Sequence, residues 1–177
     1  GADADKGDGQ GCWNATRVAQ ARALLGFVTQ LQATDPDVIV VGDVNAYAFE
    51  DPLLALAAGG LHDLIERHAR GAHTFVFSGQ AGRLDHVLAT ATLLPHVTGA
   101  GTWAINADEP SILDYNLEFR QPACAACGPA LYTPTPWRAA DHDPVLAGLS
   151  LVRVIDGTAG RDRLSGTPGD DRIHFVQ

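Results

Sequence analysis

Methionine is absent from this 177-residue sequence, and only three cysteines occur in it. Without an initiating methionine, the first residue is expected to come from processing or from a break in a longer chain, so it carries no targeting information. Long apolar runs are lacking too. None approaches the roughly 20 residues of a membrane-spanning helix, which argues against an integral membrane protein. Positive charge is scarce: 12 Lys and Arg stand against 21 Asp and Glu, a formal net charge of −9. A protein that coats nucleic acid must replace phosphate counterions and is basic, so the charge argues against non-specific packaging. Metal-assisted cleavage of nucleic acid is not, because a bound cation is then the largest local charge.

The cysteines are Cys12, Cys124 and Cys127. The Cys124–Cys127 pair could be a local disulfide, a redox pair or half of a zinc site. No second Cys-x-x-Cys and no well-spaced His pair completes a zinc site. No strand leads into the pair, and Pro122 and Pro129 flank it, which disfavours a thioredoxin-like role. A small disulfide or two idle thiols is the better reading. Cys12 is then unpaired and suits a partner cysteine upstream.

The composition, 46% hydrophobic and 19% charged, is ordinary for a globular protein, and the length suffices for one domain with a core. The glycine-rich start reads as a loop. Asn14 is placed to cap a helix in which Val18, Ala21, Leu25 and Val28 recur at helical spacing, with Leu24 and Leu31 widening the stripe. Asp35-Pro36 ends it. Val38 to Val41 lacks polar alternation and predicts a strand buried on both faces. Pro52 to Ala58 is a short helix stopped by Gly59-Gly60. Thr74 to Phe77 and Leu84 to Ala89 predict two strands joined as a hairpin through Ser78 to Gly82. Residues 107–140 read as long loops, and Pro144 to Val152 as a last strand. The class is α/β or α+β with a substantial sheet.

The end of the chain differs. Gly157, Gly160, Asp162 and Leu164 recur nine residues later as Gly166, Gly169, Asp171 and Ile173. This approaches the nonapeptide of hemolysin-type (RTX) calcium-binding repeats, in which aspartates such as Asp162 and Asp171 offer hard oxygen ligands to Ca²⁺. Two copies are too few to bury a core, so residues 153–177 are expected to be poorly ordered.

Three short motifs carry chemistry. Gly42-Asp43-Val44-Asn45 follows the first strand, and a carboxylate and an amide two residues apart can hold a water and a phosphate oxygen together. An ordinary strand-ending turn has the same composition. In Leu84-Asp85-His86-Val87, the adjacent Asp85 and His86 must point to opposite faces of a strand, so only one can enter a site. Asp85 is assigned to the site. Asp141-His142-Asp143-Pro144-Val145 offers a metal ligand and an imidazole at a strand mouth, or a loop whose aspartates cap turns.

In this order the motifs resemble the C-terminal half of the endonuclease/exonuclease/phosphatase superfamily, to which deoxyribonuclease I and the apurinic endonucleases belong. The segments Cys12 to Ala21, Phe75 to Gly82 and Ile105-Asn106-Ala107-Asp108-Glu109-Pro110 resemble its bacterial extracellular nuclease branch. The likeness covers about residues 1–150, so residues 1–152 are taken as one domain and 153–177 as a tail. It implies half of a four-layered α/β/β/α sandwich, mainly one sheet with flanking helices.

The same resemblance implies the roles. Asp43 orients or deprotonates the attacking water, and Asn45 holds a phosphate oxygen. Asp85 orients His142, which stabilises the phosphate's developing charge. Asp141 helps to bind Mg²⁺ or Mn²⁺. DNA is the implied substrate and the extracellular space the implied location. A first half carrying an asparagine, a glutamate and a further histidine is expected upstream, which makes activity of this chain alone doubtful. His62, His68, His73 and His96 lie in the wrong context for that histidine. Two alternatives remain open: a phospholipid or sugar-phosphate esterase of the same superfamily, and a non-catalytic domain ahead of a calcium-binding secretion or adhesion module.

Overall fold

The computed structural model of the chain describes residues 4–110, 113, 135–166 and 171–174. Cys124 and Cys127 lie outside the described residues, as do most of 107–140 and Gly169 of the second repeat. The class is mixed α/β. Helices α1 (Asn14–Gln32), α2 (Asp51–Ala58) and α3 (Leu64–His68) interleave with strands β1 (Ile39–Asp43), β2 (Leu61–Asp63), β3 (Phe75–Phe77), β4 (Gln80–Gly82), β5 (Asp85–Thr90), β6 (Val97–Thr102), β7 (Val145–Leu149), β8 (Arg153–Asp156) and β9 (Asp171–His174). Among the described residues, the strands form one three-stranded sheet, ordered β1-β5-β2, and three two-stranded sheets. No helix among them is long and apolar enough to cross a membrane.

Strand β5 organises the core because it is central and antiparallel to both neighbours. Its side chains alternate between two apolar clusters. Leu88 packs with Ala21 and Val28 of α1 and with Leu53 and Leu56 of α2. Val87 and Ala89 pack with Leu64 and Ile65 of α3 and against Val97, Ala100 and Val145. Each fully buried Val or Leu contributes about 1.5–3 kcal/mol. Strand β1 differs from expectation. Among the described residues it pairs only with β5, and Val41 is 55% exposed. A β-branched run reports strand propensity, but an edge position decides how much of it is covered.

Other local expectations also shift. Asn14 is the first helical residue rather than the cap. Trp13 caps α1 in a left-handed conformation without a side-chain bond, and the Asn14 amide donates to Asp51 instead. The hairpin closes within residues 75–82. Ser78 and Gly79 both have positive φ, the geometry that two-residue hairpin turns require. The chain then leaves this pair, and β5 joins a different sheet. Gly82 lets the Tyr47 ring lie close to the backbone, since a Cβ there would meet the ring at 2.3 Å and force it to move. The described tail is not structureless. Strands β8 and β9 pair in parallel with Arg153 opposite Asp171 and Ile155 opposite Ile173.

Candidate active site

Antiparallel register brings the first two motifs together. Asp43 lies directly opposite Asp85, and Gly42 opposite His86. Directly opposed residues share a sheet face, and like charges so placed repel. This pair therefore needs a counter-charge. The turn after β1 is held in shape from several sides. The Asp43 Oδ1 accepts the Asn45 N–H at 2.6 Å. Asn45 has φ 51, a conformation that asparagine tolerates better than most residues. Arg17 of α1 donates to the Asn45 carbonyl at 2.8 Å and pairs with the nearly buried Glu50. One Asp43 oxygen is thus occupied by its own turn.

His142 arrives just before β7 and bridges to Phe75. Its Nδ1 lies 2.6 Å from the Asp85 Oδ2. An ionised carboxylate only accepts, so Nδ1 carries the hydrogen and Nε2 is the nitrogen left for chemistry. The Phe75 ring packs on the imidazole with centroids 4.7 Å apart. Thr74, fully buried, accepts the Leu84 and Asp85 N–H groups through its Oγ1, and its carbonyl accepts the Asp143 N–H. One threonine therefore joins the strand that carries Asp85 to the segment that carries His142. The result is a cluster in which ligand atoms of Asp43, Asp85 and His142 lie within 4.8 Å of one another. The two carboxylates, at a partly open position, are hard oxygen donors that fit a divalent cation such as Mg²⁺ or Mn²⁺, while the His142 Nδ1 is taken up by Asp85.

The site residues read from the sequence are placed as follows. Asp43, Asp85 and His142 converge. Asn45 is exposed and joins the cluster through its backbone bond to Asp43. Asp141 precedes His142 and is half-buried, outside the three-residue cluster. Asp162 and Asp171 belong to the tail. Both Asp162 oxygens are engaged by Thr158, at 2.6 and 2.9 Å, while Asp171 stands in β9. Sequence reading did not foresee Arg17, Thr74 or Phe75 as supports. Arg17 and Phe75 lie within two of the nuclease-like segments and Thr74 immediately precedes one of them, which is the signal that could have found them.

His86 points away from Asp85, as strand alternation requires. It is fully buried, with Nδ1 2.8 Å from the Asp63 Oδ2 and Nε2 3.0 Å from the Ala46 carbonyl. Both ring nitrogens thus face acceptors, and His86 ties the Asp43–Ala46 turn to the cap of α3. Asp63 also accepts the Glu66 N–H and pairs with Arg83. Burial acts to raise the Asp63 pKa. The His86 hydrogen bond, the Glu66 N–H and the Arg83 and His86 charges outweigh it and hold the carboxyl below its ordinary 3.8.

Residues 6–146 match the model of the endonuclease/exonuclease/phosphatase family. Among solved structures, the chain is similar to an endonuclease/exonuclease/phosphatase family protein from Bacteroides thetaiotaomicron, with 22% identity and a TM-score of 0.42. That similarity covers 51% of this chain and 34% of the other, so this chain spans about a third of that relative. No curated protein matches. The family match runs over most of the described residues and takes in Asp43, Asp85, Asp141 and His142, and on it the chain belongs to the endonuclease/exonuclease/phosphatase family.

Proposed function

We propose that this chain carries the carboxylate–imidazole part of a divalent-metal-dependent phosphodiesterase centre and that DNA is its substrate. The observation that carries the proposal is the opposed Asp43–Asp85 pair with His142 bonded to Asp85. Two facing carboxylates favour a cation, and an imidazole oriented by a carboxylate favours charge stabilisation at an oxyanion. In this reading Asp85 fixes the ring of His142, whose imidazolium form, with a hydrogen on each nitrogen, donates through Nε2 to a non-bridging phosphate oxygen as charge builds there. Asp43 accepts a hydrogen from the attacking water, and Asn45 holds a second phosphate oxygen. The carboxylates of the cluster, with Asp141, would hold the cation. Bound Mg²⁺ or Mn²⁺ supplies Lewis-acid polarisation of the phosphoryl oxygen.

DNA is favoured over phospholipid or sugar phosphate by the nuclease-like segments Cys12 to Ala21, Phe75 to Gly82 and Ile105 to Pro110. Plasmid degradation with Mg²⁺ by the full-length protein tests the reading, with a phospholipid assayed in parallel. Asp43→Ala and His142→Ala should each abolish most of the DNA cleavage. Unchanged cleavage in both would sink the assignment, and phospholipid turnover without DNA cleavage would move the substrate.

The proposal extends to the tail as a calcium-binding coil of a protein that acts outside the cell. Supporting it, the β8–β9 register offsets the chain by 18 residues, two nine-residue periods, and sets Ile155 opposite Ile173 with Leu164 midway between them in sequence. Calorimetry should register Ca²⁺ binding that is lost in Asp162→Ala and Asp171→Ala. No heat of binding in the parent chain would overturn this part.

A further inference from the structure

The segment Ile105-Asn106-Ala107, singled out in the sequence and given no task by the proposed chemistry, is bound to both flanks of His142. Asn106 is 4% exposed. Its Nδ2 donates to the His142 carbonyl at 2.7 Å, and its Oδ1 accepts the Ala139 N–H at 2.9 Å. A carbonyl needs a donor and an N–H needs an acceptor, so these two partners fix the orientation of the amide. One carboxamide therefore spans residues 139–142, gripping the first residue by its N–H and the last by its carbonyl. The backbone of Asn106 adds a further tie, since its carbonyl accepts from the Arg138 guanidinium at 2.8 Å.

Asp143, the residue after His142, returns the contact. It is 2% exposed, and its Oδ1 accepts three consecutive N–H groups, from Ile105 at 3.0 Å, Asn106 at 2.8 Å and Ala107 at 3.0 Å. The two segments hold each other: a carboxylate next to His142 shapes the loop that presents Asn106, and Asn106 fixes the backbone that presents His142. Burial makes this grip directional, because a buried amide or carboxylate that loses its partner cannot turn to water.

We infer that Asn106 is a positioning residue for His142, with Asp143 as its support, and that it sets the approach of the imidazole to Asp85. This rests on the proposed role of His142, but its test does not need turnover. The Nδ1–H of a histidine bonded to a carboxylate gives a low-field proton resonance. Two other described histidines are bonded in this way: His86, fully buried, with Nδ1 2.8 Å from Asp63, and His174, exposed to solvent exchange, with Nδ1 3.0 Å from Asp156. His86 thus serves as an internal control for folding.

In the ¹⁵N-labelled chain, Asn106→Ala should keep the His86 resonance and lose that of His142. If both are lost, the variant has unfolded, and Asn106→Asp is read instead. That substitution keeps the acceptor for Ala139 and replaces the donor to His142 with an oxygen that repels the His142 carbonyl, so the His142 signal alone should vanish. Asp143→Asn should retain both signals, because an amide oxygen can still accept the three N–H groups. In the full-length protein, Asn106→Ala should lower kcat for plasmid DNA about 100-fold with KM little changed, the cost of misplacing a catalytic group by about 1 Å. Survival of the His142 resonance in both Asn106 variants would overturn the inference. So would its absence from the parent chain when that of His86 is present. If the parent cleaves no DNA yet the resonances behave as stated, the positioning role stands and the proposed substrate falls.

Discussion

Asp43→Asn is expected to stabilise the metal-free protein while removing its response to divalent cations. The substitution keeps the shape of the side chain and the Oδ1 that accepts the Asn45 N–H. It removes one of two carboxylates that face each other across the β1–β5 ladder. Ligand atoms of the pair lie within 4.8 Å, and unit charges so spaced repel by roughly 0.9 kcal/mol at the dielectric constant of water. Asp43 is exposed, so the aqueous figure applies rather than the larger value of a shielded site. For a chain of this size, about 1 kcal/mol corresponds to a rise in Tm of about 2–4 °C. Binding acts in the opposite sense. A cation at 100 times its Kd stabilises the parent by about 2.7 kcal/mol and should do little for the variant. Thermal melts in chelator and then in Mn²⁺ read both effects. If Asp43→Asn melts at or below the parent in chelator, and Mn²⁺ shifts both equally, the two carboxylates do not form a cation site.

Three further outcomes follow from the same contacts. Asp63→Ala leaves the buried His86 and Arg83 without their shared partner, so urea denaturation should show a loss of about 3–5 kcal/mol. The pH dependence has a defined sign: the Asp63 pKa is depressed on folding, so its stabilisation is full above 3.8 and is lost as pH falls through the lower folded value. Acid titration of the urea midpoint should therefore drop below that point in the parent and drop less in Asp63→Asn. Gly82→Ala drives a methyl group into the Tyr47 ring and should cost about 1–3 kcal/mol, read by the same denaturation.

Much of the site was legible because it depends on strand periodicity and short motifs. Period-two alternation alone sends Asp85 and His86 to opposite faces, and the structure has one bonded to His142 and the other to Asp63. What local sequence does not encode is which strands meet. Val38 to Val41 has the composition of a central strand, yet its position at the sheet edge leaves Val41 exposed while β5 is covered on both faces. The glycine-rich stretch between residues 78 and 82 signals a hairpin, but only the positive φ values at Ser78 and Gly79 reveal that the turn is two residues long. Strand β6, Val-Thr-Gly-Ala-Gly-Thr, has little intrinsic strand signal and exists through its pairing with β7 some 45 residues later. The grip of Asn106 on His142 spans 36 residues and has no local signature at all.

In the proposed chemistry Asp85 and His142 act as one unit in phosphodiester cleavage. A double-mutant cycle on the full-length protein tests it most directly, with kcat/KM for plasmid DNA in Mg²⁺ measured for Asp85→Ala, His142→Ala and the double variant. Residues that act together are strongly non-additive. The double variant should lose far less than the product of the two single losses, the excess over His142→Ala being the share of Asp85 in holding the cation. Losses that multiply across the two substitutions, or a His142→Ala enzyme as fast as the parent, would contradict it.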